Sequence, residues 1–286
     1  MLKLWQAILG AFVGFVGGQI SGGVALILGL VGMFVFGALF GPGGARGALM
    51  VVQADPLGSA WVFVPMLAAT GIVQTQLAFA VPALAGVPVL RALGLDKAPR
   101  AALVLAPIGA LALGPSSDLI ASAFMELLPR VTLGNLEAIT KLAKGGPFLV
   151  MFVLMALLPG VSEEVLFRGV LQRAIRNAPI AIGVSALVFA CAHLDPPHVV
   201  AVLPMGVYLA WIAYRTDSTW PTIVAHVANN GIAIAATRIS ALEVGQGTDT
   251  PLPPWLPPVG LVISLACVAG IAILTPKRDA VPASAG

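Results

Sequence analysis

The stretch that decides the fold is FLVMFVLMALLPGVSEEVLFRGV, Phe148 to Val170. Apart from Ser162, its polar side chains are Glu163, Glu164 and Arg168. An apolar run of roughly 17–25 residues spans the hydrocarbon core of a bilayer as a helix. Only 9% of the chain is charged, so two adjacent carboxylates and a guanidinium inside such a run need a reason.

The surroundings agree with a membrane setting. The chain has 286 residues, 59% of them hydrophobic, and a mean hydropathy of +1.00. A soluble domain is usually about 45–50% apolar and about 25% charged. Further apolar segments are Leu4–Gln19, Val24–Phe40, Ala60–Leu84, Ala101–Leu113, Ile180–His193, Val199–Tyr214, Thr219–Ile239 and Leu256–Leu274, with the first run extending to Ile175. The fold class is therefore all-α, a polytopic membrane helix bundle. The opening MLKLWQAILGAFVGFVGG resembles a signal peptide but lacks a small-residue cleavage site, and reads as a first membrane helix. Gly10, Gly14 and Gly18 are spaced as on a close-packing helix face.

Between these runs, Pro129–Gly146 carries Arg130, Glu137, Lys141 and Lys144 among Leu136, Ile139 and Leu142. It reads as an amphipathic helix at the interface. Gly41–Pro56 and Pro276–Gly286 read as a loop and a tail. The net charge of +3 reports loop lysines and arginines. No basic patch with interleaved aromatics exists, so no nucleic-acid partner is expected. Cys191 and Cys267 read as two buried small hydrophobes, outside any disulfide or metal pair.

In the second half, Arg173, Arg176, Arg215, Lys277 and Arg278 fall on one side if each later segment crosses. Asp195, Glu243 and Asp249 fall on the other, with Arg238 the exception. The positive-inside rule puts the arginine side in the cytoplasm. Arg91, Lys97 and Arg100 with Lys141 and Lys144 do not sort in this way.

Ionisable groups inside a membrane are costly, and mark pairs, wet cavities or function. The polar residues of the later apolar runs are Glu163, Glu164, Arg168, His193, His226, Asn229 and Asn230. At about 1.5 Å rise per residue, Glu163, His193 and His226 each lie some 16–22 Å from the arginine end of their helices. Three helices thus bring polar groups to one layer. Glu164 and Arg168 are i,i+4, with the acid first, and can neutralise each other. Glu163 is rotated about 100° from Glu164 and has no partner on its own helix. That isolation suits a group that takes and returns a proton. His226 and Asn230 share a face and can both donate toward a developing oxyanion. Asn229 points elsewhere, toward packing or an interhelical bond. Phe189, four residues before His193, can stack beside its imidazole. His198, in LDPPH, reads as an interfacial loop residue.

Glu163-Glu164-Val-Leu-Phe-Arg168, Phe189-Ala-Cys-Ala-His193 and His226-Val-Ala-Asn-Asn230 together resemble the signature of the CPBP family, which includes CAAX prenyl endopeptidases and bacterial Abi-type proteins. The resemblance covers residues 147–240, with RALGLDKAPR similar to the family's loop before the core. It implies about eight transmembrane helices and a glutamic intramembrane endopeptidase. By that resemblance Glu163 and His193 would activate water, and His226 and Asn230 would stabilise the oxyanion. Glu164, Arg168 and Phe189 would support the site. No metal or cofactor is implied. The expected organisation is residues 1–145 as N-terminal helices with the interfacial helix, 146–240 as the catalytic core, and 241–286 as a last helix and tail. The partners would be a membrane-associated peptide or protein, prenylated or not, and the lipid bilayer. The expected location is the cell membrane, multi-pass, with the active site open to the cytoplasm.

Other readings of the same residues are interhelical hydrogen bonds that hold a bundle, a zinc site lacking HExxH, a proton relay, and a CPBP-fold immunity or scaffolding protein without turnover. Nothing in the sequence names the substrate or the oligomeric state.

Overall fold

The computed structural model describes residues 1–54, 60–127, 142–239 and 252–275. Regular structure among the described residues is helical throughout. Helix α1 spans Leu4–Phe40, α2 Gly44–Ala54, α3 Ala60–Leu84, α4 Val89–Ala92 and α5 Arg100–Leu127. Helix α6 is Phe148–Ala174. Helices α7 Ala178–Cys191, α8 Pro196–Thr216, α9 Trp220–Ala236 and α10 Leu256–Leu274 follow.

Six of these, α1, α3, α5, α6, α8 and α10, are long and apolar enough to cross a membrane. Helices α7, with 14 residues, and α9, with 17, are shorter. Large apolar side chains such as Phe12, Phe36, Leu119 and Val262 are exposed around the perimeter, where a bilayer would cover them.

Several segments differ from the sequence expectation. Leu4–Gln19 and Val24–Phe40 form one helix, because Ser21-Gly22-Gly23 continues it. The Ser21 hydroxyl bonds back to the Gly18 carbonyl and across to the Ala69 carbonyl. The expected loop Gly41–Pro56 contains α2. Ala101–Leu113 runs on to Leu127 through Pro115, Ser116, Ser117 and Asp118. Prolines inside membrane helices are tolerated where neighbours satisfy the freed backbone groups. The expected interfacial helix lies mainly outside the described residues, as do Glu243, Asp249, Lys277 and Arg278. Cys191 is exposed and Cys267 is buried.

Close backbone approach holds α1 to its neighbours. A methyl group on Gly10 would meet Val81, one on Gly14 would meet Leu166, and one on Gly18 would meet the Thr70 carbonyl and Gln74. Helix α1 therefore runs antiparallel to α3, with its start beside the end of α3. A buried cluster that includes Leu93, Val165, Leu166, Phe167, Val170, Phe189 and Ile223 lies at the heart of the bundle. It joins α6, α7 and α9, the three elements that carry the polar layer.

Candidate active site

Helix α6 changes its winding around the charged residues. The α-helical segment Leu158–Glu164 lies between two π-helical segments, Val153–Leu157 and Val165–Leu171, and the 3₁₀ turn Gln172–Ala174 ends the helix. π turns are rare and recur at functional sites. Pro159 supplies one local cause. It has no N–H for the carbonyl four residues earlier, which is that of Met155. The Asn230 Nδ2 donates to this Met155 carbonyl at 3.2 Å. Asn229 Nδ2 in turn donates to Asn230 Oδ1 at 3.3 Å. The interhelical bond expected of Asn229 is thus made by Asn230, while Asn229 orients its neighbour.

Glu164 and Arg168 are both fully buried, with Arg168 Nη1 donating to Glu164 Oε1 at 2.9 Å. The same Oε1 lies 2.9 Å from His226 Nδ1 on α9. A carboxylate beside a guanidinium accepts, so His226 carries its proton on Nδ1 and presents Nε2 elsewhere. Arg168 Nη2 donates to the Gly206 carbonyl on α8 at 3.1 Å. Gln172 Nε2 donates to the Ala210 carbonyl, one turn further along α8, at 2.7 Å. A ladder of side-chain donors on α6 thus fixes α8 against it.

Phe189 is the hub of the layer. The Arg168 guanidinium lies 4.3 Å from its ring centroid, a cation–π contact in a dry site. His193, His226 and Phe167 meet the same ring edge-on, at centroid distances of 5.2, 5.7 and 5.8 Å. The expected Phe189–His193 neighbourhood is one of four such contacts.

His193 is not on a helix. Helix α7 stops at Cys191, and His193 sits in the turn that follows, just before Leu194 at φ 59°. Its Nδ1 is 3.0 Å from the Phe189 carbonyl. A carbonyl only accepts, so His193 also carries its proton on Nδ1 and leaves Nε2 with the lone pair. His198 is likewise not in a loop. Pro196 and Pro197 open α8, where a missing N–H is harmless, and His198 occupies its first turn with its ring 4.5 Å from that of His193. Asp195, next to that helix start, is buried with its Oδ2 unpartnered.

Glu163 is half-buried, and its Oε2 is enclosed without a hydrogen-bond partner. It makes no hydrogen bond to His193. Among the described residues, no group of three or more His, Cys, Asp or Glu side chains is placed to hold a metal ion. Glu164, the acid nearest to a histidine nitrogen, is already engaged by Arg168.

All these residues fall within one stretch of known type. Residues 145–232 match the family model described as Rce1-like, type II CAAX prenyl endopeptidase. This segment is therefore similar to the CPBP/CAAX protease family. Neither a curated protein nor a solved structure matches the chain significantly. The matched segment holds Glu163, Glu164, Arg168, Phe189, His193, His226 and Asn230, and the fold brings α6, α7 and α9 together around Phe189.

Sequence reasoning missed the Glu164–His226 bond, the reach of Phe189, the His193–His198 contact and the polar group Ser116, Ser117 and Asp118 within α5. The first two depend on how α9 meets α6, which helix periodicity does not encode. The last two had signals: Asp195-Pro196-Pro197 is a helix start, and Asp118 is an acid in an apolar run.

Proposed function

We propose that the chain is an intramembrane endopeptidase of glutamic type, cleaving a peptide bond in a membrane-associated substrate of the CAAX class. The observation that carries this reading is that Glu163 is half-buried with no ion pair and an enclosed, unpartnered Oε2, one residue from the fully buried Glu164, whose Oε1 is held by both Arg168 and His226 although its Oε2 is likewise unpartnered. Glu163 is the acid left to do chemistry. It removes a proton from water, with His193 Nε2 as second acceptor, and the water oxygen attacks the scissile carbonyl. The proton then passes to the departing amine nitrogen. His226, held through Nδ1 by Glu164, turns Nε2 toward the developing oxyanion and donates to it once that nitrogen carries a proton. Asn230 adds the Nδ2 hydrogen that Met155 does not use. Such preorganised donors are worth about 3–4 kcal/mol each when removed from an oxyanion site.

Charge distribution supports an orientation. Arg91, Lys97 and Arg173 meet at one end of the bundle, with Arg215 beside the end of α10. Arg100, Arg176 and, by the antiparallel run of α1 and α3, Lys3 share that end. Arg238 reaches the Ala143 and Gly146 carbonyls at the other, near Lys144. By the positive-inside rule the first end is cytoplasmic, and this places Arg91, Lys97 and Arg100 with the C-terminal arginines.

The test is membrane proteomics with new termini mapped, comparing cells that hold wild type or Glu163→Gln at equal abundance. A full-length membrane protein that accumulates only with Glu163→Gln, its cleaved form lost, is the expected result. Identical termini, with Glu163→Gln still rescuing a deletion phenotype, would replace the protease by a scaffolding or immunity role.

A further inference from the structure

Outside the polar layer, a second side-chain network lies at the arginine-rich end, where residues 91–97 are laid between the end of α6 and the start of α9. Four consecutive residues after α8 each hold this segment. Asp217 contacts Lys97 Nζ at 3.4 Å and Arg173 Nη1 at 2.8 Å. Ser218 Oγ donates to the Lys97 carbonyl at 2.6 Å. Thr219 donates twice, from its backbone N–H to the Gly94 carbonyl at 2.9 Å and from Oγ1 to the Leu93 carbonyl at 2.6 Å. Trp220 Nε1 donates to the Leu95 carbonyl at 3.0 Å. Arg173 closes the ring through the Arg91 carbonyl at 3.3 Å.

The backbone is specialised at both faces of this clamp. Asp217 is left-handed, at φ 50° and ψ 34°, which reverses the chain between α8 and α9. Gly94 is at φ 68°, and a side chain there would run into Arg173 Nη1 and Thr219 Oγ1. The two helices joined here are the ones whose relative register sets the Glu164–His226 contact. Arg173 follows Glu164 on α6, and Thr219 precedes His226 on α9 by about two helical turns.

We propose that Asp217 is a positioning residue: by binding Arg173 and Lys97 it fixes the register of α9 on α6, and through it the Glu164–His226 bond. The proposal rests on the hydrolytic reading of that bond only for its effect on turnover. The clamp grips α6 at Arg173 and the start of α9 at Asp217, each nine residues from the group that must meet the other, so a small slip at Asp217 is delivered to His226 Nδ1. The packed cluster between them, including Phe167, Val170 and Ile223, leaves little room to absorb a slip locally.

The chain has three histidines, so the full-length protein in detergent with isotope-labelled histidine gives three imidazoles to resolve by NMR. His226→Gln assigns the relevant one. Asp217→Asn keeps a side chain that tolerates the left-handed backbone and removes the charge, while Arg173→Gln removes the charge from the opposite side. The expected result is a moved or broadened His226 Nδ1–H resonance in both variants. A roughly tenfold fall in kcat at unchanged KM should accompany it, a size typical of coupling through packed elements. Asp96→Asn, which neutralises an exposed carboxylate beside the clamp, leaves the resonance in place. An unmoved His226 resonance in both Asp217→Asn and Arg173→Gln overturns the positioning role, whatever happens to cleavage. A moved resonance in a protein whose wild type cleaves no peptide keeps that role and removes the hydrolase reading alone.

Discussion

Glu164 Oε1 and His226 Nδ1, 62 positions apart in the chain, are 2.9 Å apart in the fold. The carboxylate that neutralises Arg168 also fixes which nitrogen of His226 is free. One residue thereby couples the electrostatics of α6 to the tautomer of α9.

Removing that carboxylate should cost both stability and turnover. Glu164→Gln leaves Arg168 buried without its counter-charge, a change that destabilises by about 3–5 kcal/mol. Glu164→Gln with Arg168→Met removes both charges and should recover most of that loss. Turnover should not recover, since His226 still lacks its anionic acceptor. Thermal unfolding in detergent beside a cleavage assay separates the two effects, and recovery of both together would contradict this division.

Phe189→Leu keeps apolar bulk but removes the ring face under Arg168 and the edges toward His193 and His226. A desolvated cation–π contact is worth about 2 kcal/mol. The variant should lose that much in unfolding free energy, and about tenfold in activity if the histidines are freed. Full activity in Phe189→Leu would show that the ring does not orient them.

Pro159→Ala restores an N–H to the α6 backbone. It competes with Asn230 for the Met155 carbonyl and should lower activity several-fold without lowering the unfolding midpoint. Equal loss from Pro159→Ala and Asn230→Ala, with no further loss in the double variant, would place both changes in one path. Additive losses would separate them.

A strong chelator should leave turnover intact, because the acid closest to a histidine nitrogen is committed to Arg168. Loss of activity that added zinc restores would move the site to metal chemistry.

Much of this arrangement is legible in the sequence. The Glu164–Arg168 pair follows from i,i+4 spacing, and the membrane setting from apolar run length. What stayed hidden is geometry between helices. Periodicity places Glu163 and Glu164 on different faces but says nothing of which neighbour each face meets. Apolar run length and a uniform rise per residue carry no sign of the π turns that bracket the two glutamates. His193 was read as helical because FACAH is apolar up to the histidine, although the Pro196–Pro197 pair already marks the next helix start. Near Ser21 the glycines do not end α1, because Gly18 and Gly22 themselves lie against Met66, Thr70 and Gln74 of α3.

The π turns also bear on how the chain tolerates change in length. A π turn holds one residue more than the α turn it replaces. Deleting a single residue within Val153–Leu157 can return that turn to α-helix, and the loss is absorbed there. The piece from Leu158 to Glu164 then keeps its grip on α9, and the Phe148 end keeps its face. Helix α6 thus has a joint on each side of its glutamates, where insertions and deletions are taken up. Motifs counted at fixed spacing across such a joint would misalign by one, though the chemistry beneath them had not moved.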